Sequence, residues 1–344
     1  MSFKARKQAV LITGANGEMG TGLIHALADR EGVDLVAVDL RPLSKALRPK
    51  VRGWHVGDIL DQQLMQRLVS EYEVTSIFHL AALLSTRAEF TPDVAHKVNV
   101  EGTLALLKLA HQQSSWSGRR TKFIFPSSIA VYGLPNLEKK RAMPAIREFE
   151  YTDPTTMYGC NKLYCENLGR YFSEHYQQLA VSPSSVGLDF RAIRFPGLIS
   201  AHTQPSGGTS DYGPEMIHAA ASGEKYACFV REDTTIPFMS MVDGVEAILK
   251  LAYADEEQLT QRVYNVSSYS PSAGDFRDRV LQEFSNAEIQ FEPHMQRQGI
   301  VDSWPREVND EPARRDWGWS PRHDFESTFS EYLIPNIRQR YATR

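Results

Sequence analysis

The feature that most constrains this chain is an apolar strand that runs directly into a glycine-rich turn and then into a helix. Residues 9–13 (AVLIT) are predicted to form a buried strand, residues 14–20 (GANGEMG) the glycine turn, and residues 20–30 a helix. Glycines allow a tight turn in which the backbone approaches a pyrophosphate, and the N-terminus of the helix favours its negative charge. This order of elements predicts a dinucleotide-binding βαβ unit, whereas a glycine-rich turn without that context would be an ordinary loop.

Apolar strands and helical stretches continue to alternate over the first 130 residues. The pattern predicts strands at 33–38, 76–80 and 122–125, and helices at 60–71 and 93–113. Strands that alternate with helices form parallel βαβ units, and continuous apolar strands fit a sheet that is covered on both faces. The predicted fold class is therefore α/β, with a doubly wound parallel sheet of the Rossmann type.

The pattern changes after about residue 195. Residues 196–214 (PGLISAHTQPSGGTSDYGP) are rich in proline, glycine, serine and threonine, which predicts an irregular loop. Beyond this loop the sequence predicts helices near 214–223 and 243–254 and a strand near 262–266. We expect a cofactor-binding domain over residues 1–195, which also carries the catalytic side chains. A smaller C-terminal α/β substrate lobe is expected over residues 196–344, with the chain crossing back to the first domain.

Charge and composition exclude several classes of protein. The 38 Lys and Arg against 42 Asp and Glu give a net charge of −4, whereas a nucleic-acid platform shows a clustered basic excess. No apolar run approaches the roughly 20 residues that span a bilayer, and the first residues lack the pattern of a secretory signal. The three cysteines fit neither a disulfide framework nor the paired spacing of a metal site. We expect a cytoplasmic protein with no bound metal, no nucleic-acid partner and no membrane segment.

The glycine turn and two later acids predict how the cofactor binds. Asp39 ends the second predicted strand, where a carboxylate can hydrogen-bond both ribose hydroxyls and repel a 2′-phosphate. NAD is therefore favoured over NADP, although Arg41 is close enough to accommodate that phosphate. Asp58 and Ile59 follow the expected third strand, where an acid can bind the adenine amine or cap the next helix. The cofactor-binding residues predicted in the turn are Gly14, Asn16, Gly17, Glu18, Met19 and Gly20.

A tyrosine and a lysine four residues apart predict acid–base chemistry. Tyr158 and Lys162 lie one above the other on a helix face. A tyrosine hydroxyl has an ordinary pKa of about 10, but a nearby ammonium stabilises the phenolate and lowers that pKa. The phenolate can then take the hydroxyl proton of an alcohol while a hydride leaves the same carbon. Without further support, the same spacing would indicate only a surface pair.

Two segments that follow predicted strands provide that support. Ser128 lies in PSSIAVYG (126–133), at the carboxyl end of a parallel strand, where side chains point into the ligand crevice. Its hydroxyl can hold the reacting oxygen against Tyr158, or it can simply cap a loop. The segment HLAA (79–82) ends the preceding strand, and its small residues let a dinucleotide lie close. We expect His79 to be a core histidine and assign cofactor contacts to Leu80, Ala81 and Ala82.

The glycine turn, the two acids, HLAA, SSIAVYG and YxxxK, in this order, resemble the extended short-chain dehydrogenase/reductase superfamily over residues 8–200. The resemblance implies that Asn99, which also contacts the cofactor, completes a proton relay. Asn161 stands where the superfamily usually has serine or threonine. The catalytic residues that the resemblance implies are Ser128, Tyr158 and Lys162, of which Tyr158 and Lys162 also contact the cofactor.

The second half of the chain narrows the resemblance to the short-chain, epimerase-like L-threonine 3-dehydrogenases. The similar segments are AALLS (81–85), RFPGLIS (194–200), GGTSDY (207–212), DSWP (302–305) and ARRDWGW (313–319). The resemblance implies NAD-dependent oxidation of the C3 hydroxyl of L-threonine to 2-amino-3-oxobutanoate, with Tyr158 as the general base and Leu198 beside the nicotinamide. It also implies substrate contacts from Ser85, Ser128, Tyr158, Gly208, Thr209, Ser210 and Trp304.

Two side chains of the expected substrate site keep alternatives. Asp211 faces the substrate ammonium or caps the next helix, and Trp304 forms an apolar wall of the pocket or belongs to the core. Ser85, Thr209, Ser210 and the amides of residues 206–210 are expected to bind the substrate carboxylate. A homodimer is expected, because the superfamily often dimerises through helices that correspond to 93–113 and 158–176.

Departures from the family pattern leave other functions open. The substrate loop reads SGGTSDYG where the family usually has GGGTTDYA, and residues 114–120 and 180–187 look inserted. A dehydrogenase of another 3-hydroxy acid and a nucleotide-sugar epimerase or dehydratase are the alternatives. An epimerase typically needs an arginine that reaches the phosphates, whereas the sequence after the triad offers short polar groups. A dinucleotide sensor without activity would not need both Tyr158 and Lys162.

Overall fold

The part of the chain that the computed structural model describes, residues 6–30, 32–180, 186–205 and 207–342, is organised around a seven-stranded parallel sheet. The strands are β1 Lys7–Thr13, β2 Leu35–Asp39, β3 Gly53–Val56, β4 Tyr72–His79, β5 Lys122–Ser128, β6 Asp189–Phe195, β7 Gly197–Ile199, β8 Tyr226–Cys228, β9 Phe238–Ser240, β10 Val263–Asn265 and β11 Ile289–Phe291. The order across the large sheet is β10-β6-β5-β4-β1-β2-β3. This order reverses between β1 and β4, which creates the crevice where such sheets bind ligands.

Helices cover both faces of this sheet. They are α1 Glu18–Ala28, α2 Gln62–Glu71, α3 Ser85–Phe90, α4 Pro92–His96, α5 Gly102–Ser117, α6 Leu137–Ala142, α7 Met157–Glu174, α8 Tyr212–Ser222, α9 Met241–Tyr253, α10 Ala273–Glu283, α11 Met295–Asp302, α12 Glu311–Trp317, α13 Phe325–Ser327 and α14 Ile334–Ala342. One core cluster joins the sheet to α1 and α9, and another joins it to α2, α5 and α7. The predicted doubly wound α/β fold is confirmed.

Two predicted elements were wrong in detail. The helix predicted over 93–113 is interrupted by a π-helical turn at Lys97–Glu101, a feature that often marks a functional site. The segment predicted as an irregular loop over 196–214 contains β7, which pairs with β9. Gly197 makes that pairing possible, because a Cβ there would lie 2.5 Å from the ring of Phe238. A short strand of mixed composition gives no periodic pattern, so the sequence alone could not show it.

The second half of the chain supplies most of a separate core and one strand of the large sheet. That core includes residues of α8, α10 and α11 together with the π-helical turn Thr328–Leu333 and α14. The strand β10, which precedes α10 in the chain, joins the large sheet beside β6. The domain boundary after residue 195 stays a prediction. Of the two predicted insertions, residues 114–117 extend α5, and residues 181–185 lie outside the described residues.

No helix among the described residues is long and apolar enough to cross a membrane. The same residues contain no group of three or more His, Cys, Asp or Glu side chains that is arranged to hold a metal ion.

Candidate active site

The glycine turn has a backbone that side chains would obstruct. Gly14 adopts a φ of +69°, and a Cβ there would lie 2.7 Å from the backbone nitrogen of Ala81. A Cβ on Gly20 would lie 2.6 Å from the carbonyl oxygen of Gly14, so α1 can pack this closely against the turn only because residue 20 is glycine. The turn therefore brings the end of β1, the start of α1 and the segment after β4 together.

The first turn of α1 is suited to an anion. Its N-cap residue, Gly17, contributes no side-chain hydrogen bond to the free amides of the first turn. These amides and the helix dipole favour a pyrophosphate at this position. Met19, in the same turn, lies near Gly244 of α9, as does Leu198 of β7. The structure thus places Leu198 on the same side of the molecule as the glycine turn.

Glu18 connects α1 to the second half of the chain. One of its carboxylate oxygens accepts a hydrogen bond of 2.7 Å from the hydroxyl of Thr203. The other is buried and has no hydrogen-bond partner among the described residues. Burial raises the pKa of Glu18, the bond from Thr203 lowers it, and the negative charge of Asp211 raises it further.

Asp39, at the end of β2, accepts two backbone hydrogen bonds and can accept more. The two carboxylate oxygens of Asp39 accept hydrogen bonds from the backbone nitrogens of Asn16, at 2.9 Å, and Arg41, at 3.0 Å. Each oxygen retains a lone pair that can accept from a ribose hydroxyl. The side chain of Asn16 instead donates to the carbonyl oxygens of Arg41 and Pro42, which fixes the turn to the segment after β2.

The two residues predicted beside the adenine occupy the turn between β3 and α2. Asp58 accepts a hydrogen bond of 3.0 Å from the backbone nitrogen of Leu60. It does not cap α2, because Asp61 is the N-cap of that helix. Ile59 is buried against Gly102 of α5, where a Cβ would lie 2.5 Å from its side chain.

His79 lies in the core, between two threonines. Its ring nitrogens are each 2.9 Å from a hydroxyl oxygen, Nδ1 from that of Thr13 and Nε2 from that of Thr103. Burial, together with the charge of Lys162, lowers the pKa of His79 to about 3, so the ring is neutral. The residues that follow, Leu80 to Ala82, are partly buried, and Gly14 packs against the first two.

Tyr158 and Lys162 lie on α7, which Thr156 caps through the backbone nitrogen of Gly159. The Lys162 ammonium donates to the carbonyl oxygen of Pro126 at 2.5 Å and lies 5.4 Å from the centre of the Tyr158 ring. The sequence predicts that Lys162 lowers the pKa of Tyr158, but in this structure burial raises it. Burial also lowers the pKa of Lys162 to about 8. The lysine is therefore bound to the strand end, and burial favours the protonated form of the tyrosine.

Ser128 lies where α7 meets the end of β5. It is the N-cap of the short turn Ile129–Val131, and its hydroxyl accepts a hydrogen bond of 3.1 Å from the backbone nitrogen of Ala130. A Cβ added to Gly159 would lie 2.0 Å from the carbonyl oxygen of Ala130, so this turn packs directly on the residue after Tyr158. The structure brings the segments of Ser128, Tyr158 and Lys162 together.

Asn99 links the π-helical turn to two neighbours. Its side chain exchanges two hydrogen bonds with the backbone of Leu83, of 2.8 and 3.0 Å, just before α3. Its amide nitrogen also donates to the side-chain oxygen of Asn161 at 3.3 Å. The departure at Asn161 therefore supplies an acceptor for Asn99 and places it beside the helix that carries Lys162.

A buried polar network lies beneath this site, and the sequence analysis did not anticipate it. Ser127 donates to Glu166 at 2.5 Å, and Glu166 forms a buried ion pair with Arg194. Arg194 also donates to the hydroxyl of Tyr132, which in turn donates to Asn265 of β10. The network ties β5, β6, α7 and β10 together. Ser127, Tyr132 and Arg194 appeared in the sequence only as letters of motifs, Glu166 and Asn265 belong to no motif, and no spacing pairs them.

The substrate loop, residues 207–210, rests on the start of α3. The hydroxyl of Thr86 donates to the carbonyl oxygen of Gly207 at 2.7 Å. The backbone nitrogen and the hydroxyl of Thr209 lie 3.5 and 3.3 Å from the hydroxyl of Ser85. Helix α3 also reaches α7, because Glu89 accepts a hydrogen bond from the backbone nitrogen of Met157, next to Tyr158.

The other predicted substrate residues differ in their surroundings. Asp211 does not cap α8 with its side chain; it accepts a bond of 2.6 Å from the backbone nitrogen of Gly208. Ser210 is partly buried, and Ser206 lies outside the described residues. Trp304 is 4% exposed and belongs to the second core, but its indole N–H has no partner among the described residues.

Arg297 is a site residue that the sequence analysis missed. It lies on α11 and donates to the carbonyl oxygens of Gly208 and Gly207 at 2.8 and 3.4 Å. The expectation that this region offers only short polar groups was wrong, because a guanidinium contacts the substrate loop directly. No motif marks Arg297, and only the fold brings it within reach of residues 90 positions earlier.

Comparisons with known proteins agree with this geometry. The model of the NAD dependent epimerase/dehydratase family matches residues 10–267. The chain is 33% identical to a mitochondrial L-threonine 3-dehydrogenase of Bos taurus, over 94% of this chain and 80% of that protein. It is 32% identical to an uncharacterized epimerase/dehydratase of Staphylococcus aureus (strain USA300), over 96% of this chain and 97% of that protein.

A solved structure is also similar. A monomeric L-threonine 3-dehydrogenase from a metagenome superposes with a TM-score of 0.82 and 35% sequence identity, over 96% of this chain and 99% of that chain. The similarity therefore extends beyond the cofactor domain to the second core and the substrate loop.

Proposed function

The chain belongs to the NAD-dependent epimerase/dehydratase family, a member of the extended short-chain dehydrogenases, and we propose that it oxidises the C3 hydroxyl of L-threonine to 2-amino-3-oxobutanoate. It is an NAD-dependent oxidoreductase, which confirms the predicted cofactor and class of enzyme. The substrate, the product and the role of each side chain are our proposals.

The observation that carries this proposal is the position of the substrate loop. Residues 207–209 rest on Ser85 and Thr86, and the same helix, α3, contacts the residue before Tyr158. Helix α3 thus connects the short hydroxyl and amide groups of the loop to the helix that carries Tyr158, which supports a site for a small, charged amino acid. A carboxylate prefers such donors, and the neighbouring guanidinium favours its negative charge.

Tyr158 is proposed as the general base, and Lys162 as the positive charge that stabilises its phenolate. The tyrosine has to lose its proton, which its burial opposes, so a positive charge has to reach the phenol. Lys162 provides one when its ammonium turns from Pro126 toward the tyrosine. Bound NAD supplies a second positive charge and accepts the hydride. Ser128 would hydrogen-bond the reacting oxygen. Asn99 would help to position the part of α7 that carries Lys162, through its hydrogen bond to Asn161.

The predicted cofactor contacts fit the structure around the glycine turn. The uncapped start of α1 would hold the pyrophosphate, and Asp39 would bind the ribose hydroxyls with its two remaining lone pairs. Asp58 would meet the adenine, and Leu198 and Asn99 would lie nearer the nicotinamide. Trp304 offers an unpartnered indole N–H from an otherwise apolar core, which suits the wall of a pocket for a small polar ligand.

The test is NADH formation by the purified protein with NAD, comparing L-threonine with L-allo-threonine, L-serine and 3-hydroxybutyrate. A strong preference for L-threonine supports the proposal. Turnover of 3-hydroxybutyrate without L-threonine would contradict it and assign a different hydroxy acid.

A nucleotide-sugar epimerase is the second candidate, because Arg297 supplies the cation that such a substrate requires near the loop. An epimerase regenerates its cofactor in each cycle. It would therefore interconvert nucleotide sugars without accumulating NADH, and the threonine assay would give no signal.

We also propose a cytoplasmic homodimer. Apolar and aromatic side chains are exposed on the helices that the superfamily resemblance implies at the interface: Val94 at 50%, Tyr164 at 54% and Tyr171 at 40%. The similar metagenome protein is described as monomeric and the bovine one as mitochondrial. Light scattering of the purified protein decides between monomer and dimer.

A further inference from the structure

Arg297 holds the substrate loop through backbone atoms rather than through side chains. Its Nη2 donates to the carbonyl oxygens of Gly208, at 2.8 Å, and Gly207, at 3.4 Å. Its guanidinium carbon lies 3.2 Å from the centre of the Phe229 ring, so the group is stacked on a buried aromatic residue. The position of the guanidinium is therefore fixed by both contacts.

The bond from Arg297 to the carbonyl of Gly208 determines how the peptide group between Gly208 and Thr209 is oriented. In a trans peptide the carbonyl oxygen and the N–H point in opposite directions. Because the carbonyl of Gly208 points at Arg297, the N–H of Thr209 points away from it, toward the hydroxyl of Ser85 at 3.5 Å. A cation at the carbonyl end also polarises the peptide and strengthens its N–H as a donor.

The positive charge of Arg297 lies beside the substrate loop. Among the described residues, its guanidinium donates to the two carbonyl oxygens of the loop, and its Nε is buried without a hydrogen-bond partner. Burial raises the pKa of Glu215, which the hydrogen bond from Tyr226 and the charge of Arg297 oppose, so Glu215 is the nearest acid among the described residues that interacts with Arg297, without an ion pair. A positive charge beside a loop of N–H and hydroxyl donors favours an anionic ligand.

We infer that Arg297 is a positioning residue that orients the peptides of the substrate loop so that Thr209 and Ser85 bind the substrate carboxylate. This inference rests on the proposed function for the identity of the carboxylate, while the contact with the loop does not depend on it. Arg297 acts through Gly207 and Gly208 and is not assigned a part in proton or hydride transfer.

The test compares Arg297→Met with Arg297→Lys, and Arg306→Met serves as a matched control. Arg306 is an exposed arginine nine residues later with no contact to the loop. Methionine keeps apolar contact with Phe229 but loses both hydrogen bonds, and lysine keeps the charge without the planar fork. We expect KM for L-threonine to rise about tenfold or more in both Arg297 variants, because bonds to a charged group are lost.

A general loss of structure is excluded by three further readouts. We expect kcat to fall less than KM rises, and the Kd for NAD to stay unchanged. L-threoninamide lacks the carboxylate, so the preference for L-threonine over L-threoninamide should be reduced by the factor by which KM for L-threonine rises. An unchanged preference, or a loss of NAD binding in parallel, overturns the inference.

Hydrogen exchange separates this inference from the proposed function. If the wild type does not oxidise L-threonine, the proposed function fails, but the loop can still be examined. Faster exchange of the Gly208 and Thr209 amides in Arg297→Met than in Arg306→Met supports the positioning role, and equal exchange overturns it.

Discussion

The glycine turn and the substrate loop lie on two sides of the candidate active site and are held differently. The turn is fixed by close contacts within the first 85 residues, with Asp39 and Asn16 binding it to the end of β2 at 2.9–3.2 Å. The substrate loop has longer contacts to Ser85, of 3.3 and 3.5 Å, and depends on Arg297 from a distant helix.

This difference shows which part of the site is preformed. The glycine turn needs no ligand to keep its shape, because glycine φ angles and backbone bonds determine it. In the substrate loop the hydroxyl of Thr86 binds Gly207 at 2.7 Å, but the contacts between Ser85 and Thr209 are long, so a bound carboxylate can improve those two. Variants of the turn should therefore change cofactor affinity, and variants of the loop should change substrate affinity.

The largest effect on activity is expected from a change outside both regions, at Tyr158. Tyr158→Phe removes the proposed base while keeping the ring that packs near Lys162. Because general base catalysis contributes about 10²–10⁴-fold, kcat should fall by about a thousandfold with little change in the Kd for NAD. Tyr164→Phe, an exposed tyrosine on the same helix, is the matched control. Substantial activity in Tyr158→Phe would show that the proposed base is wrong.

The second largest effect is expected in the glycine-turn region. Asp39→Ala removes the proposed acceptor for the ribose hydroxyls, and bonds to a charged group stabilise by about 1.5–3 kcal/mol. The Kd for NAD should rise about tenfold or more, while that for NADP rises less or falls because the 2′-phosphate is no longer repelled. Fluorescence titration with both nucleotides measures this ratio. If the preference for NAD stays the same, Asp39 does not bind the ribose.

The sequence predicted the turn side of the site in more detail than the loop side, for a physical reason. Gly14, Asp39 and Tyr158 are constrained by neighbours a few residues away or by the fixed order of strands, so their spacing is informative. Arg297 contacts Gly208 only because α11 and the loop converge in three dimensions. The buried pair Glu166–Arg194 is of the same kind, since 28 residues and a change of element separate its members.

A smaller effect is expected from the hydroxyls of the substrate loop. Ser85→Ala and Thr209→Val each remove one partner of a contact that is 3.3 Å long. A neutral hydrogen bond contributes about 0.5–1.5 kcal/mol, so each change should raise KM for L-threonine about three- to tenfold. The double variant should cost less than the sum of the two, because the residues share a contact. Strict additivity would mean that Ser85 and Thr209 act on the substrate independently.

The smallest effect is expected at Glu18, which connects the glycine turn to the second half of the chain, a few residues before the substrate loop. The carboxylate lies in the first turn of α1, beside the proposed pyrophosphate site, and receives a hydrogen bond from Thr203 of the second half. Burial raises the pKa of Glu18, and so does the negative charge of Asp211. Tyr332 also faces Glu18. Arg340 binds the backbone of His202, the residue before Thr203. A pyrophosphate would raise this pKa further, because like charges disfavour the ionised form.

The sign of the pH dependence follows from that shift. A ligand that raises the pKa of Glu18 takes up a proton on binding, so its affinity is highest at low pH. The affinity falls as the pH rises through the pKa of Glu18 in the free protein and levels off above its pKa in the complex. Glu18→Gln should abolish this dependence and retain tight binding, whereas Glu257→Gln, an exposed acid elsewhere, should keep it. Calorimetry with ADP-ribose in two buffers of different ionisation enthalpy measures the proton uptake without the nicotinamide charge. Equal uptake in the wild type and Glu18→Gln would show that the turn binds the pyrophosphate without involving Glu18, leaving Thr203 as a purely structural contact between the two regions.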